Sequence, residues 1–426
     1  MRWRARQWGW PVASRGWRGG YVLTEQLFDI AVVGGGMVGA ALALALDSKG
    51  FSVVLLEARE PQMQWDASSH DLRVSAITRA SQHLLERLGA WPAMAADRVT
   101  PYQAMQVWDN GGFGEIRFDA ADIAEPNLGH IVENRVIVRA LWQALTRSGV
   151  DVRTSVSVGN LHTGDDGPSL VLASGETLPV GLVVGADGAR SQVRELAGIG
   201  SRSEPYDQHA LVATVTAELG NRSTAWQRFM RTGPLALLPM QSDLFSIVWS
   251  TTPEEAARLR DLPPAEFNAA LSEASEWRLG QLSLLGERAL FPLRLQHAEQ
   301  YVLPGLALVG DAAHVIHPLA GQGVNLGFLD AAALVDALVA GRGRGLSPGA
   351  MRGLRAYERA RRGHNTATQL AMDAFKHVFG SRSTVVGALR NLGLGVAGRV
   401  GPLRRQFERV ALGQGIDLPS LSRPPA

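Results

Sequence analysis

A glycine-rich turn between a strand and a helix is the feature that most restricts how this chain folds. Phe28 to Val33 reads as a buried strand, and Gly34-Gly35-Gly36-Met37-Val38-Gly39 follows it directly. The next residues read as a helix to about Ser48, closed by Gly50. Phe51 to Leu56 is a second strand, ending on Glu57, 23 residues beyond Gly34. In that setting the glycines of G-x-G-x-x-G permit a tight turn and let a pyrophosphate approach the backbone at a helix N-terminus. The acid accepts from ribose hydroxyls. Gly34, Gly36, Gly39 and Glu57 are therefore candidate dinucleotide-binding residues, and the carboxylate suits an unphosphorylated ribose, as in FAD or NAD. A second match, Gly393 to Gly398, has no convincing strand before it and reads as a glycine-softened helix or turn.

Two further strand ends carry a carboxylate. Leu182-Val183-Val184 leads into Gly185-Ala186-Asp187-Gly188, and the apolar run Leu306 to Val309 stops at Gly310-Asp311. After the latter, a loop with Pro318, Gly321 and Gly323 runs into an apolar, helix-like stretch from Val324 to Val339. Unpaired N–H groups at such a helix start favour anionic oxygen or an electron-rich ring, and the glycines let a flat ligand come close. A reduced flavin, negative around N1 and the C2 carbonyl, is one such ligand. Arg73, in the loop before a helix from Thr78 to Leu88, suits phosphate oxygens or a surface ion pair. Asn134 either caps the helix Asn134 to Leu145 or touches a ligand.

Val150 to Pro179 alternates like antiparallel strands, and Tyr102 to Phe118 reads as short strands around Asn110-Gly111-Gly112. Leu211 to Thr216, Ala236 to Pro239 and Phe245 to Ser250 read as a separate sheet, with Trp226, Phe229, Met230, Met240 and Trp249 as its core. From Ser347 onward the chain reads as helical.

Composition removes several classes. The 426 residues include no Cys, which excludes disulfides, thiolate metal sites and iron–sulfur clusters, so a redox role needs a bound cofactor. The formal charge of +2 comes from five Arg in residues 1–24; without them 37 basic residues face 40 acidic ones, which does not describe a nucleic-acid binder. No uninterrupted apolar run approaches a membrane span. Residues 1–25, rich in Arg and Trp and broken by Pro11 and Gly16, read as a disordered extension or as a misplaced start with initiation near Val22 to Thr24.

Taken in order, Gly34-x-Gly36-x-x-Gly39, Gly185-Ala186-Asp187-Gly188 and Gly310-Asp311 resemble the single-component FAD-dependent aromatic hydroxylases. His317-Pro318-Leu319-Ala320-Gly321-Gln322-Gly323-Val324-Asn325-Leu326-Gly327 looks like the ubiquinone-biosynthesis branch, most like the 2-polyprenylphenol hydroxylases of the VisC type. Asp71 to Ile77, Leu128 to Asn134, His209 to Val215 and Ser246 to Ala256 extend the likeness, which covers about Phe28 to Leu418.

That resemblance implies an α/β fold. An FAD-binding Rossmann-like domain (26–98, 128–203, 290–345) carries an inserted antiparallel-sheet substrate domain (99–127, 204–289) and a C-terminal helical region (346–426). It implies that Gly34, Gly36, Gly39 and Glu57 hold the FAD adenosine half, with Arg73 and Asn134 at its middle and Asp187 nearby. Asp311 would meet the ribityl or phosphate region, and Pro318 to Asn325, including Gly321, Gly323 and Val324, would line the isoalloxazine. The implied chemistry is hydroxylation of a polyprenylated phenol by a flavin C4a-hydroperoxide, with O₂ as co-substrate and NADH or NADPH as a transient reductant. His314 and His317 are candidates for a proton role, though a loop His more often packs; Pro318 is a further catalytic candidate without a proton to exchange. The expected location is the cytoplasm, with peripheral contact at the inner face of the membrane and with other ubiquinone-making proteins. The rival readings are a hydroxylase of another aromatic, a flavin-linked reductase, a halogenase and a flavin-containing scaffold subunit. A halogenase needs an active-site lysine, and only Lys49 and Lys376 exist.

Overall fold

The computed structural model describes residues 28–109, 115–164, 167–316, 323–380 and 418–424. Its centre is a sheet whose neighbouring strands run Val302–Leu303, Leu306–Leu308, Thr177–Gly185, Phe28–Val33, Val53–Glu57 and Asp151–Thr154. All but the first pairing are parallel. The central strands are continuous apolar runs because helices cover both faces. The helix Met37–Asp47 is buried from Gly39 to Leu46 and packs between the helices Asn134–Leu145 and Gly323–Arg342.

One strand departs from the sequence expectation. Asp151–Thr154 does not open an antiparallel hairpin but pairs in parallel with Val53–Glu57. The helix Asn134–Leu145 precedes it and returns the chain to the same end of the sheet, as a parallel crossover requires. The antiparallel pairing expected there belongs to Val158–Gly164, Gly167–Leu172 and Thr177–Gly185.

A second, largely antiparallel sheet runs His314–Val315, Leu282–Ala298, Ser201–Ala217, Leu244–Thr251, Gly233–Pro239, Thr224–Met230, Ala104–Asp109 and Glu115–Asp119. Alternate residues such as Leu211, Leu237, Phe245 and Trp249 form one face. They pack on Leu259, Phe267 and Leu271 of the helices Pro253–Asp261 and Pro264–Ala274. Trp226 lies in the same core, as expected for large apolar side chains at period two. Thr252 caps the first of these helices, its side chain accepting from the Glu255 N–H.

A small sheet of Val74–Ile77, Gly129–Glu133 and Val99–Tyr102 sits apart from both. The boundaries drawn from sequence cut across these elements. Residues 99–102 pair in the small sheet, and the divisions at 203/204 and 289/290 fall inside the 17-residue strands Ser201–Ala217 and Leu282–Ala298. A hydrogen-bonded strand continues as long as its partner does, so the two halves share it rather than meeting at a linker.

The helix Gly323–Arg342 is long and apolar enough to cross a membrane, although uninterrupted apolar runs in the sequence are shorter. It is mostly buried inside the fold and serves as the core helix. The helix Met351–Gly380 packs against it, and Ser420 returns to the same helix by donating its N–H to Asp336 at 2.8 Å. The N-terminal extension, the turn at 110–112, Gly393 to Gly398 and Leu403 to Leu412 lie outside the described residues.

Candidate active site

Parallel register sets the site. Val33 lies beside Gly185 and Leu56, and Gly185 beside Leu308. Four chain segments therefore leave the sheet at one edge, in the spatial order Asp311, Asp187, Gly34–Gly39, Glu57. The carboxyl ends of parallel strands are where an open α/β sheet binds ligands, and this row suits an extended one.

The turns interlock through missing side chains. Gly34 has φ +102°, and a β-carbon on it would stand 2.5 Å from the Ala186 carbonyl oxygen. On Gly39 it would stand 1.8 Å from the Gly34 oxygen, so the helix presses on its own loop. Gly36 differs: nothing lies within 4 Å of such a carbon, which leaves the helix start approachable. Glu57 braces the loop, its Oε2 accepting from the Gly35 N–H at 2.5 Å and its Oε1 from the Arg59 N–H at 3.0 Å. Trp142 completes the brace, donating Nε1–H to the Gly35 carbonyl at 2.8 Å. No sequence signal marked it, because a Trp on an amphipathic helix reads as core.

Asp187 accepts from the Val193 N–H at 3.0 Å through Oδ2, while its buried Oδ1 has no partner among the described residues. Asp311 is exposed, yet burial pushes its carboxyl pKa up, His314 and Arg73 pull it down and Asp330 adds to the rise. Arg73 is exposed, with its guanidinium 6.0 Å from the Phe291 ring centre. Its carbonyl accepts from the Asn134 N–H at 2.9 Å, and Asn134 Oδ1 accepts from the Ser75 hydroxyl at 2.7 Å. Arg73 and Asn134 are thus adjacent, and Arg73 lies near enough to Asp311 for its charge to act on that carboxyl.

His317, Pro318 and Gly321 lie outside the described residues. Gly323 begins the core helix, and a β-carbon on it would meet nothing within 4 Å. Val324 packs on the main core. Asn325 is buried, donating to the Ala76 carbonyl at 2.7 Å and accepting from the Thr78 N–H at 3.1 Å. Its side chain tethers the core helix to the small sheet, so what it offers a ring stacked on that helix start is backbone. His314 is 3% exposed, and its Nε2 lies 2.5 Å from Asp330 Oδ2. Asp330, Arg361 and Asn365 were not singled out by sequence reasoning, since each reads as one polar residue in a helix.

An open glycine at the helix start, an unpartnered buried carboxylate oxygen and a braced ribose-side acid are what FAD's pyrophosphate and hydroxyls require. Residues 28–372 match the family described as FAD binding domain. The chain is 43% identical to the 3-demethoxyubiquinol 3-hydroxylase of Escherichia coli, over 92% of this chain and 100% of that one. It is 40% identical to the ubiquinone hydroxylase UbiL of Rhodospirillum rubrum, over 91% and 90%. The chain belongs to the FAD-binding monooxygenases of ubiquinone biosynthesis.

Within this family the mouse mitochondrial ubiquinone biosynthesis monooxygenase COQ6 is 38% identical, over 93% of each chain. The fold is shared more widely. The crystal structure of p-nitrophenol 4-monooxygenase PnpA from Pseudomonas putida DLL-E4 superposes with a TM-score of 0.73 at 21% identity, covering 91% of this chain and 98% of that one. The protein is an FAD-dependent aromatic hydroxylase.

Proposed function

We propose that this monooxygenase hydroxylates the ring of a polyprenylated phenol, taking electrons from NADH or NADPH and oxygen from O₂. Bound FAD supplies the redox chemistry; the chain's own residues bind, orient and exclude water. Glu57 and the Gly34–Gly39 turn hold the adenosine half, Arg73, Asn134 and Asp187 the middle, and Asp311 the ribityl side. Gly323, Val324 and Asn325 offer the helix start to the ring, where oriented N–H groups stabilise negative charge without reorganising. His314 packs beneath the loop of Asp311, its ring buried against Asp330.

The observation that carries the substrate reading is the second face of the antiparallel sheet. Opposite its Trp-rich core, that sheet presents Ala210, Val212, Val248 and Phe291, which pack toward Leu72, next to Arg73. The same side carries Gln227 and Ser246, whose buried Oε1 and Oγ have no partner among the described residues. Isolated polar atoms on an apolar wall suit an oxygen-bearing ring with an isoprenoid tail. A lipid substrate in turn favours peripheral contact with the inner face of the membrane.

Two regiochemistries compete. The stretch His317 to Gly327 favours the 2-polyprenylphenol type, and the 43% identity to the E. coli enzyme favours 3-demethoxyubiquinol-type hydroxylation. Product analysis after expression in strains lacking each ubiquinone hydroxylase decides between them. If the purified holoprotein is reduced immeasurably slowly by both nicotinamides with every phenol offered, the hydroxylase reading fails and a scaffold role stands.

A further inference from the structure

Asp330 is fully buried in the middle of the core helix, and four donors converge on its carboxylate. Oδ2 accepts from the Gly310 N–H at 3.1 Å and meets His314 Nε2 at 2.5 Å. Oδ1 accepts from Arg361 Nε at 2.7 Å and Asn365 Nδ2 at 3.2 Å, and Arg361 also donates to Asn365 Oδ1 at 2.9 Å. Burial works to raise the Asp330 pKa, but His314 and Arg361 overcome it and hold the carboxyl well below the usual range.

A buried ion network is a poor way to gain stability, because well-packed apolar residues of similar volume often do as well or better. Its geometry points to another purpose. Gly310 is left-handed, with φ +59°, and the residue that follows this turn, Asp311, is exposed. The C-terminal helix adds two contacts from the same face as Arg361 and Asn365. Tyr357 donates its hydroxyl to the Leu308 carbonyl at 2.7 Å, and Glu358 accepts from the Tyr301 N–H at 2.9 Å. The first falls on the strand that leads to Gly310-Asp311, and the second on the residue before its neighbour Val302–Leu303.

We propose that Asp330 is a positioning residue for the flavin-side loop: it fixes Gly310 and His314 while Arg361 and Asn365 fix it, so that the seating of the C-terminal helix sets where Asp311 points. This rests on reading the strand-end row as the flavin site. Asp330 itself is fully buried and acts through the loop.

The test uses the full-length holoprotein with Asp330→Asn, Arg361→Met, Arg361→Lys, Asp311→Ala and Asp336→Asn. FAD Kd, the visible spectrum of bound flavin at saturation and Tm are measured for each. Asp336→Asn, on the same helix and tied to Ser420, controls for a loosened C-terminal segment. Asp330→Asn and Arg361→Met are expected to raise the FAD Kd about ten-fold, as loss of a charge-assisted hydrogen bond would, and to alter the flavin spectrum. Arg361→Lys restores part of both, and Asp336→Asn moves neither. A lower Tm with wild-type Kd and spectrum in Asp330→Asn overturns the proposal; should that variant fail to fold, the same result in Arg361→Met does so. Wild-type flavin content in Asp311→Ala brings down the site reading and the proposal with it.

Discussion

The side chain of Val38, from the first glycine turn, lies against the bare Cα of Gly327 in the core helix. A β-carbon on Gly327 would stand 2.5 Å from Val38 Cγ2 and 3.3 Å from the Gly310 Cα. The first and third motifs are thus locked together at one point, without a hydrogen bond between them. Gly327→Ala should destabilise the fold by about 1–3 kcal/mol through overpacking. Val38→Ala should relieve part of that, so the double variant loses less than the sum of the singles. Chemical denaturation of the four proteins checks it, and strict additivity refutes the contact.

Gly36 and Gly39 should fail in different ways. Gly36 sits at φ −65° with open space where a side chain would go. Gly36→Val is expected to fold with a wild-type circular dichroism spectrum but to lack the visible absorption of bound flavin. Gly39→Ala collides with the Gly34 carbonyl and should lose stability as well as flavin.

Asn325 separates tether from ligand. Removing its amide leaves the Ala76 carbonyl and the Thr78 N–H buried without it, at a cost of about 2 kcal/mol. Asn325→Ala should therefore unfold at lower denaturant while still taking up FAD at saturation. Wild-type stability with lost flavin would make the side chain a direct ligand.

His130 gives the protein a pH slope. Its ring is buried edge-on to Trp91 at 4.9 Å, and burial, helped by the charge of Arg79, pushes its pKa down to about 4. The unfolded chain, with an ordinary histidine pKa of about 6.5, binds the proton first as pH falls. The stabilising contribution is complete above about pH 6.5 and is lost progressively down to about pH 4, by up to roughly 3 kcal/mol. His130→Leu should flatten unfolding free energy against pH across that window, and an unchanged slope would assign it to other groups.

Much of this was legible in the chain. The strand–turn–helix at Phe28 to Asp47, the helix Asn134–Leu145 and the start of the core helix each follow from patterns within about thirty residues. Side-chain periodicity, glycine turns and capping are local physics. The cofactor class followed from the resemblance that the three turns, in fixed order, bear to the FAD-dependent aromatic hydroxylases.

What the sequence alone determined, then, is the set of turns and the kind of ligand they accept. Tertiary structure decided how those turns meet: Val33 beside Gly185 beside Leu308, Trp142 on Gly35, Asn325 on Thr78, and Asp330 holding Gly310. Strand pairing between distant segments sets which ends share an edge, and a buried carboxylate finds its donors only once the helices pack. Neither leaves a local signature, because the energies involved do not exist until the chain has closed upon itself.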